Sequence, residues 1–357
     1  MNPGWKNSGF YNLVEMKEKM KINIAINGYG RIGRCVARAL YESPNFYDRI
    51  RLCAVNETAD PRAVYHLTKY DSTHGRFPFE VKNENSALII GADTIKLFQE
   101  KNIVNLPWKD LKIDVVLDCT GFYKNRESAE LHLLSGAKKV IYSQPAADEV
   151  DATIVYGVNH QMLKREHTVI SNASCTTNCV IPVIHILDQA FGIESGSITT
   201  IHSAMHDQPV IDAYNPDLRK TRSALHSIIP VNTALEKGIS KILPSMTGRF
   251  ETLAIRVPTA NVSIMDIALV VKTNTDAKAV NMVLEIAARN ELKDILGVSD
   301  EYLVSCDFNH DPRSSIIDLH QTRVSRKRLV KVQAWFDNEW GYSNRMLDTT
   351  IAAVEAL

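Results

Sequence analysis

The sequence predicts a two-domain α/β protein, a helix-wound parallel sheet followed by an α+β half with a mostly antiparallel sheet. Three observations predict it. From Lys21 to Ser171 short apolar runs alternate with helical segments, the pattern of right-handed βαβ units. Past Cys175 strand-like runs follow one another with little helix between them, as in an antiparallel sheet covered on one face. The length of 357 residues suits two domains of roughly 100–200 residues each.

In order, KINIAI is a strand, and RCVARALYES a helix with Val36, Ala39 and Leu40 at helical spacing. IRLCAVNE is a strand and RAVYHLTKY a helix. A polar, turn-rich stretch runs from Asp71 to Asn85 before the shorter strands ALIIGA and IKLFQ. DVVLDCTG, KKVIYSQ and HTVIS are strands, with the helix ESAELHLLSGA among them. CVIPVIHILDQAFG is a long apolar helix. SITTIHS, TLAIRVP, MDIALVVKT, SIIDL and KVQAWFD are strands, interrupted by the helix AKAVNMVLEIAARNEL. The last helix, RMLDTTIAAVEAL, is expected to pack back on the first domain. The expected boundaries are an extension at 1–20, a first domain at 21–173, a second at 174–335 and a returning segment at 336–357.

Composition excludes several classes. Forty-one basic and 41 acidic side chains balance, whereas nucleic-acid binding leans on a basic excess. No apolar run approaches the ~18 residues of a membrane span. Six cysteines are spread thinly, and the first nineteen residues lack a secretory apolar stretch. The expectation is a cytoplasmic protein with reduced thiols, its chain starting in earnest near Met20.

Gly28, Gly30 and Gly33 spell G-x-G-x-x-G between a strand and a helix. In that context the motif predicts a Rossmann-type NAD site. Gly28 permits the turn, Gly30 lets backbone approach a pyrophosphate, and Gly33 lets helix and strand pack closely. Glu57, 24 residues past Gly33 at the end of the next strand, offers a carboxylate to ribose hydroxyls and repels a 2′-phosphate. A glycine turn that binds nothing is the bland reading.

Cys175 stands in SNASCTTNC where a long helix begins, and the positive end of a helix dipole favours thiolate. Cys179 follows one helical turn later, and no further residues at short spacing suggest a metal site. The local residues leave Cys175 either a nucleophile or an ordinary buried thiol. His202, at the end of the strand SITTI, is the candidate base; His206 lies four residues on. Arg219, Lys220 and Arg222 cluster after a Pro-Asp turn, and Arg256 ends an apolar strand before Pro258. Arginine beside Thr176 and Thr233 suits a phosphate-bearing substrate, although a surface ion pair explains any one of them singly.

NGYGRIGR, YDSTHGRF, SNASCTTNC, TTIHS, IIPVNT, RVPT and WFDNEWGYSNR occur in this order across the chain. Together they closely resemble the glyceraldehyde-3-phosphate dehydrogenase family. HSAMHDQPVIDAYNPDLRKTR and VSCDFNHDPRSSI resemble its erythrose-4-phosphate dehydrogenase branch most. The resemblance implies that Cys175 is the nucleophile and His202 its activator and base. It implies that Arg31 and Ile32 belong to the pyrophosphate turn and that Asn338 positions the nicotinamide amide. Ser174, Thr176 and Thr233 then line the substrate site, while Arg256 and the Arg219–Lys220 segment contact phosphate. It also implies a cytoplasmic homotetramer acting on a small sugar phosphate, with no nucleic-acid or membrane partner.

Departures from the family pattern bear on the acyl acceptor. Met205 stands where threonine is usual, His206 where a small residue is usual, and Ala234 where glycine is usual. A thioether cannot donate as a hydroxyl does, so transfer to water is expected rather than transfer to inorganic phosphate. Glu57 replaces the usual aspartate, and Lys101 stands near the adenine side where arginine is common. The expected reaction is oxidation of D-erythrose 4-phosphate to 4-phosphoerythronate through a thiohemiacetal and a thioester, serving pyridoxal 5′-phosphate biosynthesis. The alternatives are a phosphorylating glyceraldehyde-3-phosphate dehydrogenase, a catalytically weak NAD- or RNA-binding protein, and a cofactor-free thiol hydrolase.

Overall fold

Runs of β-branched residues flanked by glycine and polar turns collapse into two sheets. The computed structural model describes residues 21–84, 86–147 and 150–356; the expected extension at 1–20 lies outside them. The first sheet has nine strands in the order 152–153, 169–171, 139–142, 115–118, 22–27, 50–56, 93–98, 87–90 and 81–84. All neighbours are parallel except the last two pairs. The first strand in sequence, Ile22–Asn27, lies between Ile50–Asn56 and Val115–Asp118. Chain direction across the sheet reverses there, which opens a crevice at the carboxyl ends of these strands.

The second sheet runs 229–231, 250–257, 193–203, 263–271, 329–336, 315–318 and 296–299, with 323–325 pairing beside 329–336. Most of it is antiparallel, but Ile193–Ser203 pairs parallel with Phe250–Val257 and Leu296–Ser299 with Ser315–Asp318. The helix Cys175–Phe191 lies on this sheet, buried on almost every side from Thr177 to Leu187. That agrees with its nearly continuous apolar sequence.

Two details differ from the sequence reading. The stretch read as turns from Asp71 to Asn85 holds a hairpin (Tyr70–Asp71 with Gly75–Arg76) and the edge strand Val81–Glu84. Only Val81 of that strand is buried, so no apolar alternation marks it. The sequence reading also passed over the helix Leu235–Ile242, whose Leu235, Ile239 and Ile242 form the buried face. Their i, i+4, i+7 spacing was a usable signal.

The final helix, Trp340–Glu355, leaves the second sheet and packs on Arg31–Glu42. Asp337 caps it, its Oδ1 accepting from the backbone N–H of Glu339 and Trp340 at 2.9 and 2.8 Å. Met346 and Leu347 are fully buried in the first domain's core. Leu347→Ala should therefore cost about 2–5 kcal/mol, read as a lowered denaturation midpoint by urea titration; a loss below about 0.5 kcal/mol would contradict this packing.

Candidate active site

The glycine turn is held by close packing. Gly28 has φ of +84°, and a β-carbon there would lie 2.6 Å from the Thr120 backbone nitrogen. A β-carbon on Gly33 would lie 2.4 Å from the Gly28 carbonyl oxygen, whereas one on Gly30 would meet nothing within 4 Å. The helix that starts at Arg31 has no side-chain cap, so its first N–H groups face a groove of about 480 Å³. Gly30, Glu57, Lys101 and Thr120 are among the residues lining it. An uncapped helix N-terminus beside open space fits a pyrophosphate. Glu57 already accepts from the backbone N–H of Tyr29 (2.9 Å) and Ala59 (3.2 Å), which holds its carboxylate at the rim where a ribose diol would lie.

Sequence reading missed the buried support beneath this turn. Asp118 accepts from Asn27 Nδ2 at 2.9 Å and from Thr120 Oγ1 at 2.6 Å. Asn56 Nδ2 donates to Asn27 Oδ1 at 2.8 Å. His132, given no role from sequence, takes the indole N–H of Trp108 at Nδ1 (3.0 Å) and presents Nε2 to Asp118 (3.4 Å). The strand-end polar residues N-G, D-C-T and N-E were the available signal. Ile32 packs on the first core. The Arg31 side chain is spent on ion pairs with Asp71 and Glu339, which leaves its backbone to the turn.

The thiol site is assembled at the seam between the halves, where Cys175 packs against both main cores. Ala173 has φ of +54°, a left-handed conformation uncommon without glycine. Its carbonyl accepts from the Tyr342 hydroxyl at 2.9 Å, which ties the turn to the last helix. Ser174 caps the next helix, its Oγ accepting from Thr177 N–H at 3.0 Å. Cys175 is thus the first helical residue. His202 lies opposite: Sγ is 3.7 Å from Nε2, while Nδ1 is 2.9 Å from the Ser203 carbonyl. A carbonyl only accepts, so Nδ1 bears the proton and Nε2 turns its lone pair toward the sulfur.

Electrostatics set the resting state of this pair. Burial pushes the Cys175 thiol up to about 11, against the opposing pull of the Thr176 N–H and the Arg256 guanidinium. Burial, then Arg256, pushes His202 down to about 4. The helix terminus acts in the direction expected from sequence, but desolvation outweighs it. Both groups are neutral at rest, and the imidazole is free to act as a base.

Residues 22–126 match the glyceraldehyde 3-phosphate dehydrogenase NAD-binding domain and residues 174–338 the C-terminal domain of the same family. The chain belongs to the glyceraldehyde-3-phosphate dehydrogenase family. It is an NAD-dependent oxidoreductase with a Rossmann-type first domain.

A cavity of about 710 Å³ at the seam between the halves is lined by Ser174, Cys175, Thr176, His202, Met205, Thr233, Ala234 and Arg256 among others. Arg256 and His202 are register partners on parallel strands, which explains why two residues 54 apart in sequence share one wall. Arg256 Nη1 is buried without a partner, fitting an anionic group of the substrate. Thr233 Oγ1 accepts from Leu235 N–H at 3.2 Å. Asn338 is buried, with Oδ1 accepting from Ser203 and Ser263 hydroxyls at 3.0 and 2.9 Å. Arg219 and Lys220 do not line this cavity. They sit on the turn Leu218–Thr221, where Lys220 pairs with Asp207 at 2.8 Å.

Two outcomes test this geometry. Gly33→Ala should unfold or strongly destabilise the protein, because backbone oxygen has nowhere to move. Gly30→Ala should keep the melting point but weaken NAD roughly tenfold by calorimetry, the effect of ~1–2 kcal/mol of overpacking against the ligand. His202 supplies the second. Its folded pKa lies below the ordinary ~6.5, so its contribution to stability is complete above pH ~6.5 and lost as pH falls toward ~4. Relative to His202→Asn, the parent protein should lose about 3 kcal/mol over that window; parallel urea-denaturation curves for the two would refute it.

Proposed function

We propose that this dehydrogenase oxidises D-erythrose 4-phosphate to 4-phosphoerythronate, with water as the acyl acceptor. The observation that carries the reading is the cavity wall at Met205 and Ala234. Both residues face the reaction space without a side-chain hydroxyl or charge, so the wall offers fewer donors to inorganic phosphate. Arg256, with its unpaired Nη1, is left to bind the phosphate that the substrate itself carries.

Cys175 Sγ adds to the aldehyde carbon while its proton reaches the new oxygen through His202 Nε2, giving a thiohemiacetal. The Cys175 backbone N–H, at the helix N-terminus, stabilises the developing oxyanion. His202 then takes the hydroxyl proton as the carbonyl of the thioester forms. NAD, held in the groove beside Gly30 and Glu57, supplies the hydride acceptor for this oxidation. His202 releases the hydroxyl proton to solvent and then deprotonates water for attack on the thioester; the Cys175 thiolate leaves and takes the water's proton back from His202. The product is an aldonic acid phosphate of the kind that feeds pyridoxal 5′-phosphate synthesis.

A homotetramer is the assembly we propose for it. Val210, Ile211, Tyr214, Leu218, Leu225 and Ile228 are all exposed along one segment of the chain, and exposed apolar side chains gathered in this way suit a contact between subunits. Among the described residues, no helix is long and apolar enough to cross a membrane.

A phosphorylating glyceraldehyde-3-phosphate dehydrogenase is the second reading, favoured by the retained Thr233 and Ser174. NADH formation with each aldehyde, with and without inorganic phosphate, separates the two. The proposal expects phosphate-independent turnover dominated by the four-carbon sugar and abolished in Cys175→Ala. Phosphate-dependent turnover of the three-carbon aldehyde would overturn it.

A further inference from the structure

Helix Arg31–Glu42, the hairpin at 70–76 and the segment 309–340 meet at a cluster the reaction does not use. His74 and His310 approach through their Nδ1 atoms, 3.1 Å apart. The other nitrogen of each ring faces a carboxylate. His74 Nε2 is 3.1 Å from Glu339 Oε2, and His310 Nε2 is 2.8 Å from Glu42 Oε2. A carboxylate only accepts, so each Nε2 bears hydrogen. Between the Nδ1 atoms, two lone pairs would repel and two N–H groups would collide; one hydrogen satisfies both. Three protons on four nitrogens give the two rings one positive charge.

We infer that His74 and His310 share a proton and form a singly charged clasp that fixes the Asn338–Glu339 segment against the Arg31 turn of the cofactor site. The surroundings are built for it. The His74 side chain is fully buried. His310 adopts φ of +69° and stacks on Trp340 with ring centroids 3.5 Å apart. Such a backbone at a non-glycine residue persists only where its surroundings hold it. Its N–H donates to Asp337 Oδ2 at 2.7 Å, and Asn309 Nδ2 donates to the Thr73 carbonyl at 3.0 Å.

The charges facing the clasp come from every element packed on it. Glu42 and Arg31 belong to the first helix, Asp71 to the hairpin, and Asp337 and Glu339 to the start of the last helix. The Cys35 thiol is close, with a donor atom within 4.8 Å of those of His74 and Glu339. Burial pushes that thiol well up, so it stays neutral. Arg31 and His74 both engage Glu339 Oε2, which leaves that oxygen less available to a metal cation. Glu339 therefore joins the imidazole pair to Arg31, the first residue after the glycine turn. Loss of the Nδ1 contact would release Glu339 from the pair and so loosen the Arg31 turn and the cofactor site beside it.

The test is nitrogen-15 NMR of the full chain labelled at histidine, at neutral pH. One strongly deshielded proton coupled to the Nδ1 atoms of both rings is expected, and it should vanish in both His74→Gln and His310→Gln. His310→Gly, which suits the left-handed backbone and so preserves folding, should weaken NAD about fivefold by calorimetry. Its KM for NAD should rise more than its kcat falls. Two separately neutral rings, or unchanged NAD affinity in His310→Gly, would overturn the inference.

Discussion

The contact between Cys175 Sγ and His202 Nε2, 3.7 Å long, is the constraint on which the rest of the molecule depends. It joins the first residue of a helix to the end of a strand in the other layer. Neither element can shift by an ångström without losing it. The helix is anchored by burial in the second core, its first turn by the Ser174 cap, and the preceding turn by Tyr342 from the last helix. Proton accounting follows from the same burial, which keeps both partners neutral. The Ser203 carbonyl fixes the tautomer that leaves a lone pair on His202 Nε2.

The cofactor groove depends on a similar economy of space. Gly33 and Gly28 bring helix and strand into contact that any side chain would break, while Gly30 leaves open the place where a pyrophosphate fits. Beneath them Asn27, Asn56, Asp118 and His132 satisfy one another out of water. Buried polar groups of this kind are expensive unless fully paired. They tie three strand ends to a single arrangement, and so they carry the turn's geometry without touching the ligand.

The last helix links these two sites. It completes the core of the first domain through Met346 and Leu347, holds the Ala173 carbonyl through Tyr342, and begins beside Asn338 and Glu339. The last helix and the residues leading into it thus hold both the Cys175 turn and the glycine turn. The His74–His310 clasp lies where one half meets the other.

Much of this was legible in the residues. The strand–glycine–helix start, the cysteine at a helix N-terminus and the strand-end histidine all follow from local pattern and motif. Hydrophobic period and turn chemistry act over short spans of chain, so sequence determined the element types and the chemistry-bearing side chains. It did not show that burial would outweigh the helix dipole at Cys175, nor that register would set Arg256 beside His202. Nor did it reveal that the Arg31 side chain would be consumed by Asp71 and Glu339, or that His132 and His310 would enter buried networks. Those outcomes depend on which distant groups share a low-dielectric space. Desolvation and pairing are properties of that shared space, and only the tertiary structure decides them.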